Sequence, residues 1–286
     1  MVRADDGVRG SLELRGARLS WGARTYIMGI VNVTPDSFSG DGIEDAAQAA
    51  AFARTQWDRG ADLLDVGGES TRPGHSPVGE TLEIARVVPV IRSVRAQLAP
   101  APISIDTYKP SVLRAAHAAG ADLVNSVWGA PPLLLDVVAE LGMPIVAMHN
   151  QVGTEYEGSV VDGVLRYLEN CAARALARGI APERIVLDPG IGFGKTADQS
   201  IEVLRRLDRV VGLGFPTMLG TSRKSTIGKL TGREPSDRVC GTAATTALAV
   251  KAGIDIVRVH DVAAARDAVA VADAIVRDWR PASWTG

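Results

Sequence analysis

The sequence predicts an α/β protein, a (β/α)8 TIM barrel with a short N-terminal β-hairpin. Eight short apolar runs punctuate the chain, and a helix-length, Ala-rich segment with helical periodicity follows each. Each run also ends in a polar residue, and that residue changes from run to run. Eight βα units with polar residues at the strand C-termini describe a barrel whose active site lies along one rim.

In order, TYIMGIVN ends at Asn32, ADLLDVGGE reaches Asp65 and Glu69, and PISID ends at Asp106. LVN ends at Asn125, PIVAMH at His149, IVLD at Asp188, PTMLGTS at Ser222, and IVRVH at Arg258 and His260. Before the first of these, SLELRGARLSWG alternates Leu12 and Leu14 with charges, can turn at Gly16-Ala17, and resumes with Leu19 and Trp21. It reads as a hairpin that plugs the bottom of the barrel.

The length of 286 residues suits one such barrel, a fold that usually needs about 250. No linker rich in Pro, Ser or charge interrupts the alternation, so residues 1–286 read as one domain, with 1–10 and 280–286 as loose tails. A net charge of -2 gives no general attraction to nucleic acid or anionic membrane. The two cysteines, Cys171 and Cys240, form no CxxC or Cys/His cluster, which argues against a disulfide framework or structural zinc. The N-terminus lacks the apolar core of a signal peptide, and no apolar stretch suits a membrane span. The expected location is the cytoplasm.

Helical stripes recur at Ile84, Val87, Val88, Ile91 and Val94, and at Val203, Leu204, Leu207, Val210 and Val211. Gly60, Gly120 and Gly142 follow such stripes as helix-ending glycines do. Strand parity adds orientation, because alternate residues face the same side. Ser104 and Asp106 share the face opposite Ile103 and Ile105, while Arg258 and His260 share the face opposite Val257 and Val259. Isoleucine and valine suit the helix-facing side, so the polar residues point into the barrel mouth. Several converging polar groups are costly to desolvate unless they bind something. His149 has the opposite parity to Val146 and Met148 and reads as structural; His75 and His117 read as solvated.

Five constellations bear on chemistry. Asp106, Asn125 and Asp188 could hold a planar heterocycle that presents N–H donors, or could be rim residues satisfied by loop amides. Gly220-Thr-Ser-Arg-Lys-Ser225 places Lys224 beside a helix start, either an anion site or an ordinary N-cap. Asp188-Pro-Gly-Ile-Gly-Phe-Gly-Lys-Thr196 is not a P-loop, since Pro189 stands where the first Walker A glycine is needed; its glycines allow close approach to a ligand, with Phe193 as a stacking or packing face. Asn32, Arg258 and His260, on runs that neighbour one another once a barrel closes, suit phosphate, and the Asn32 oxygen could ligate Mg²⁺; an internal polar network is the alternative. Finally, Thr34-Pro-Asp-Ser-Phe-Ser39 and Glu69-Ser-Thr-Arg-Pro-Gly74 could be loops that order over substrates.

Together NVTPDSFS, GGESTRPG, SIDTYKP, LDPGIGFGKT, GTSRKS and RVHDV, in this order and spacing, resemble the dihydropteroate synthases of the pterin-binding TIM-barrel family, over roughly residues 25–275. The resemblance implies a transferase of folate biosynthesis. It would condense 6-hydroxymethyl-7,8-dihydropterin pyrophosphate with p-aminobenzoate, giving 7,8-dihydropteroate and pyrophosphate. It also implies Mg²⁺ and a homodimer formed through late helices. By matching position, Asp106, Asn125, Asp188 and Lys224 would clasp the pterin, with Met148 against its face. Asn32, Arg258 and His260 would hold the pyrophosphate, Asn32 through Mg²⁺. Ser225 would receive the p-aminobenzoate carboxylate, with Phe193 on its ring and Asp36, Phe38, Thr71, Arg72 and Pro73 brought near. Asp106, Asp188, Lys224 and Asp36 would carry the chemistry.

Two alternatives stand beside this: a non-catalytic pterin-binding paralogue, and a methyltetrahydrofolate:corrinoid methyltransferase. One departure from the family wording bears on the first, Asn125-Ser126 where Asn-Asp is usual. If alternation persists to Ser126 it faces away from the pterin; if not, an orienting carboxylate is missing. On this reading Arg258→Ala should weaken the pyrophosphate-bearing substrate and spare the released pterin product.

Overall fold

A computed structural model describes residues 10–33, 46–70, 77–282 and 284. Strands β1 (Ser11–Leu14) and β2 (Ala17–Ser20) form the antiparallel hairpin. Its two-residue turn puts both Arg15 and Gly16 at positive φ, the backbone twist that matches paired strands. The barrel strands follow: β3 (Tyr26–Asn32), β4 (Leu63–Gly67), β5 (Ile103–Asp106), β6 (Leu123–Ser126), β7 (Ile145–Met148), β8 (Ile185–Asp188), β9 (Met218–Leu219) and β10 (Ile256–Val259). The described helices are α1 (Ala46–Asp58), α2 (Glu80–Gln97), α3 (Pro110–Ala119), α4 (Pro132–Leu141), α5 (Val160–Leu176), α6 (Ala197–Arg205), α7 (Leu207–Val211), α8 (Ser225–Thr231), α9 (Val239–Ala252) and α10 (Val262–Val276).

All eight barrel strands are parallel, in the order β8-β7-β6-β5-β4-β3-β10-β9. A bridge between Leu187 and Thr217, with Leu187 N–H on the Pro216 carbonyl at 2.9 Å, brings the two ends of the sheet together. The seventh apolar run reads in sequence as a strand to Ser222, but regular pairing covers only Met218 and Leu219. The stripe from Val203 to Val211 is likewise two helices, broken at Arg206. Gly120 and Gly142 cap α3 and α4 in the left-handed conformation, in keeping with their positions after the stripes.

Alternation sorts the apolar residues into two cores. Outward-facing Ile27, Leu64, Val66, Ile103, Ile105, Val124, Ile145, Leu187 and Val257 pack against the helices. Inward-facing Met28, Leu63, Leu123, Val146, Val186, Met218 and Ile256 form a separate cluster with hairpin residues Leu12, Leu14 and Leu19 and with Trp21. The hairpin therefore closes the N-terminal end of the barrel with side chains, and everything polar on the inward face is left at the other end. No described helix is long and apolar enough to cross a membrane.

Candidate active site

The inward positions one step above that apolar floor are polar. On β4 the inward series runs Leu63, Asp65, Gly67; on β6, Leu123 then Asn125; on β8, Val186 then Asp188; on β10, Ile256 then Arg258. In the hydrogen-bonded register Asp65 lies beside Ser104, and Gly67 beside Asp106, which lies beside Asn125. Asp65, Asp106, Asn125 and Asp188 are all buried.

Arg258 organises this ring. Its Nε donates to Asp65 Oδ2 at 2.6 Å and its Nη2 donates to Asp106 Oδ2 at 2.8 Å. Burial works against the guanidinium charge, but Asp65 and Asp106 more than offset it, so the pKa is raised. Burial pushes Asp106 up to about 7, with Arg258 opposing and Asp65 adding to the rise. The second oxygen of Asp106, the second oxygen of Asp65 and the Asn125 side-chain oxygen are buried with no hydrogen-bond partner among the described residues. Buried acceptors without partners are costly unless something satisfies them, and those of Asp106 and Asn125 have the chemistry to suit a donor-rich planar ligand.

The opposite wall comes from β8, β9 and the loops after them. Burial raises the Asp188 pKa, countered by Lys224 and by the Gly190 N–H donating to Asp188 Oδ1 at 2.7 Å. Gly190 has φ +65°, and a Cβ there would lie 1.9 Å from the His149 carbonyl oxygen, so only glycine permits this close turn. Lys224 Nζ donates to the Ile191 carbonyl and sits 4.5 Å from the centroid of the Phe193 ring, a cation–π contact. Burial brings its pKa down to about 8, Asp188 opposing and Arg258 contributing. Met148 is buried next to Asp188 in register. Ser225 is exposed in the first turn of α8, directly after Lys224.

Asn32 is half-buried at the end of β3. A Cβ on Gly67 would lie 3.4 Å from Asp106 Cβ and 3.9 Å from Asn32 Oδ1, so the glycine leaves the space between those two side chains open. His260 turns to β9's loop, where Ser222 Oγ is 3.0 Å from its Nδ1 and 3.1 Å from its backbone nitrogen. Arg223, at φ +58°, makes a two-point ion pair with Asp261 and so ties the loop after β9 to the loop after β10.

The structure thus brings Asp106, Asn125 and Arg258 together, and Asp188, Lys224 and Phe193 together. Arg258 does not stand free at the mouth: two carboxylates, Asp65 and Asp106, already hold part of its guanidinium. Asp36, Phe38, Thr71, Arg72 and Pro73, and His75 with them, lie outside the described residues. Ser126 resolves the open question about alternation: its register partner Ala147 belongs to the helix-facing core, whereas the partner of Asn125, Val146, belongs to the barrel interior. Ser126 therefore faces away from the cup.

Sequence reasoning missed three groups. Asp65 ends up at the centre of the site, although parity with Leu63 and Gly67 could have pointed it inward. Lys195 is buried, its Nζ 2.8 Å from His149 Nδ1 and 3.0 Å from the carbonyls of Gly190 and of Phe193. Lys109 reaches Glu69, Glu83 and the Val78 carbonyl, pinning both ends of the segment between β4 and α2. The side-chain contacts among these groups, such as Lys195 with His149 and Lys109 with Glu69 and Glu83, join residues far apart in the chain, and no local pattern announces them.

The match to known proteins is extensive. The model of the pterin binding enzyme family matches residues 28–260. The chain belongs to this family. A dihydropteroate synthase of Clostridium beijerinckii is 45% identical over 260 residues, covering 90% of this chain and 96% of that one. Among solved structures, Xanthomonas albilineans dihydropteroate synthase with 4-aminobenzoic acid is 43% identical, with a TM-score of 0.85, and 93% of this chain and 97% of that one are covered. The same enzyme in complex with 7,8-dihydropteroate gives 41% identity and a TM-score of 0.83, with 93% and 98% covered. The barrel seen here is thus shared with these solved structures.

Proposed function

We propose that this chain is a dihydropteroate synthase, a transferase that joins 6-hydroxymethyl-7,8-dihydropterin pyrophosphate to p-aminobenzoate. The observation that carries the reading is the pair of buried acceptors on Asp106 and Asn125, without partners among the described residues and facing Asp188 and Lys224, in a chain at least 41% identical to the dihydropteroate synthases compared above. The C–O bond between the pterin methylene and pyrophosphate breaks, the C–N bond to the arylamine forms, and the amine loses a proton.

Asp106, Asn125 and Asp188 accept from the donor edge of the pterin, Met148 packs on its face, and Lys224 donates to a ring acceptor. As pyrophosphate leaves, positive charge grows on the methylene carbon; the fixed carboxylates of Asp106 and Asp188 stabilise it without reorganising. Asn32 and His260, with Arg258, hold the leaving pyrophosphate. Ser225 and the start of α8 receive the p-aminobenzoate carboxylate, Phe193 packs on its ring, and by family resemblance Asp36, Phe38, Thr71, Arg72 and Pro73 are assigned to the same substrate.

Mg²⁺ fits this donor set. Among the described residues no group of three or more His, Cys, Asp or Glu could hold a metal, and Mg²⁺ at phosphate sites commonly takes one or two protein oxygens and fills the remaining positions with phosphate and water. Asn32 Oδ1, beside the open space at Gly67, would be the protein oxygen that holds it. Bound there, Mg²⁺ would neutralise charge on the leaving pyrophosphate.

Assembly and location follow the same reading: a cytoplasmic homodimer. Leu248 on α9, with Val271 and Ile275 on α10, leaves large apolar side chains exposed on two adjoining late helices, a surface suited to a second copy.

The test supplies the pterin pyrophosphate and Mg²⁺ with and without p-aminobenzoate, following pyrophosphate and dihydropteroate. Stoichiometric release with p-aminobenzoate is the expected result. Pterin binding without product would instead make the chain a binding paralogue.

A further inference from the structure

Asp65 is fully buried, yet neither the pterin clasp nor the pyrophosphate set includes it. One of its oxygens, Oδ2, receives two donors from different strands: Arg258 Nε at 2.6 Å and Asn125 Nδ2 at 3.0 Å. An ionised carboxylate only accepts, so the amide nitrogen of Asn125 must be the atom turned toward it. Asn125 Oδ1 is thereby turned away, and it is buried without a partner among the described residues.

We infer that Asp65 is the positioning residue that decides what Asn125 and Arg258 show to the pterin. Holding one amide hydrogen, it leaves Asn125 to offer the ligand an acceptor and at most one N–H. Holding Arg258 by Nε, it aims the remaining nitrogens at Asp106 and the mouth. Without Asp65 the Asn125 amide could turn over, and the cup would lose the acceptor that matches a donor edge. Asp65 sits one inward step below Gly67, beside Ser104 in register, so it acts from beneath the substrate rather than by touching it. The inference rests on the dihydropteroate synthase reading and adds a specificity-setting residue to it.

The test measures binding of 6-hydroxymethylpterin, which lacks pyrophosphate, together with the p-aminobenzoate KM at saturating pterin substrate. Asp65→Asn should weaken pterin binding about ten- to a hundredfold, the range for losing hydrogen bonds to a charged group. The p-aminobenzoate KM should stay within about twofold, because that substrate is bound by other residues; a general loss of structure would move both. Should Asp65→Asn fail to fold, the exchanged pair Asp65→Asn with Asn125→Asp carries the test. In that pair the amide introduced on β4, turned so that its oxygen meets Arg258 and its nitrogen meets β6, would accept from Arg258 and donate to the carboxylate introduced on β6, which again shows an acceptor to the ligand. The exchanged pair should bind pterin at least about tenfold better than Asn125→Asp alone, in which two carboxylates face each other.

Unchanged pterin affinity in Asp65→Asn, equal losses for both substrates, or an exchanged pair no better than Asn125→Asp would each overturn the assignment. A wild-type chain that binds no pterin would overturn the functional reading and this inference with it.

Discussion

The guanidinium of Arg258 on β10 donates to Asp106 on β5 at 2.8 Å, reaching past β3 and β4 across the barrel mouth. That contact revises what removing Arg258 should do. An arginine waiting for phosphate would be lost at the expense of the pyrophosphate ligand alone. Here its removal leaves Asp65 and Asp106 as facing buried carboxylates. Arg258→Ala is therefore expected to weaken both the pterin pyrophosphate and the bare pterin, and to cost about 3 kcal/mol or more of stability, as breaking buried pairs does. Titration of the two ligands and a denaturant melt check this; a bare-pterin affinity equal to wild type would leave Arg258 with the phosphate role alone.

Asp106→Asn keeps the shape of the side chain and removes the charge that faces the developing cation. Turnover should drop by about a hundredfold or more, the scale seen when one preorganised electrostatic partner is removed. Single-turnover rates separate this from weaker binding. A variant with full turnover would place the reacting carbon away from Asp106.

The barrel was legible in the sequence because the cue is periodic: each apolar run ends in a polar residue, and alternation tells inside from outside. Asp106 and Arg258 could be oriented from Ile105 and Val257 alone. What escaped was the pairing of the charges. That Arg258 would bind Asp65 rather than stand free depends on barrel curvature and on residues 193 positions apart, and no pattern along the chain encodes either. The same holds for Lys195 against His149. The shortness of β9 escaped for a different reason, since an apolar run sets where a strand can lie but not how far its neighbours pair with it.

Two groups in the cup change charge near neutrality. Asp106, raised to about 7 by burial, carries its full charge only above that pH; Lys224, lowered to about 8 by burial, keeps its charge only below that pH. The kcat/KM for the pterin substrate should accordingly rise through about 7 and fall above about 8. Lys224→Arg stays charged over the whole range, so its profile should keep the acid limb and lose the alkaline one. An alkaline fall that persists unchanged in Lys224→Arg would assign that limb to another group.

Ser126 occupies the position where the family wording has aspartate, and its hydroxyl is fully buried with no partner among the described residues. Removing an unpartnered buried hydroxyl gives up no hydrogen bond. Ser126→Ala should leave turnover unchanged and leave stability within about 1 kcal/mol of wild type, with a gain as the favoured direction. A large loss of turnover would show that this outward-facing position orients Asn125 after all.

His149 sets a pH dependence of folding rather than of chemistry. It is buried between the Tyr156 and Tyr167 rings, and its Nδ1 lies 2.8 Å from Lys195 Nζ. While Lys195 is an ammonium it can only donate, so His149 Nδ1 must accept, as a neutral ring does. Burial, then the Lys195 charge, lowers the imidazole pKa from 6.5 to about 3. In the unfolded chain the ring binds a proton near its ordinary pKa; in the fold it resists until about 3. Between those values the unfolded state holds more protons, so this residue's contribution to stability is complete above about 6.5 and is lost as pH falls toward about 3. His149→Gln offers a side-chain oxygen to Lys195 and does not titrate. Denaturant midpoints measured from pH 7 to pH 4 should fall less steeply in His149→Gln than in the wild type, and parallel slopes would remove His149 from the acid response.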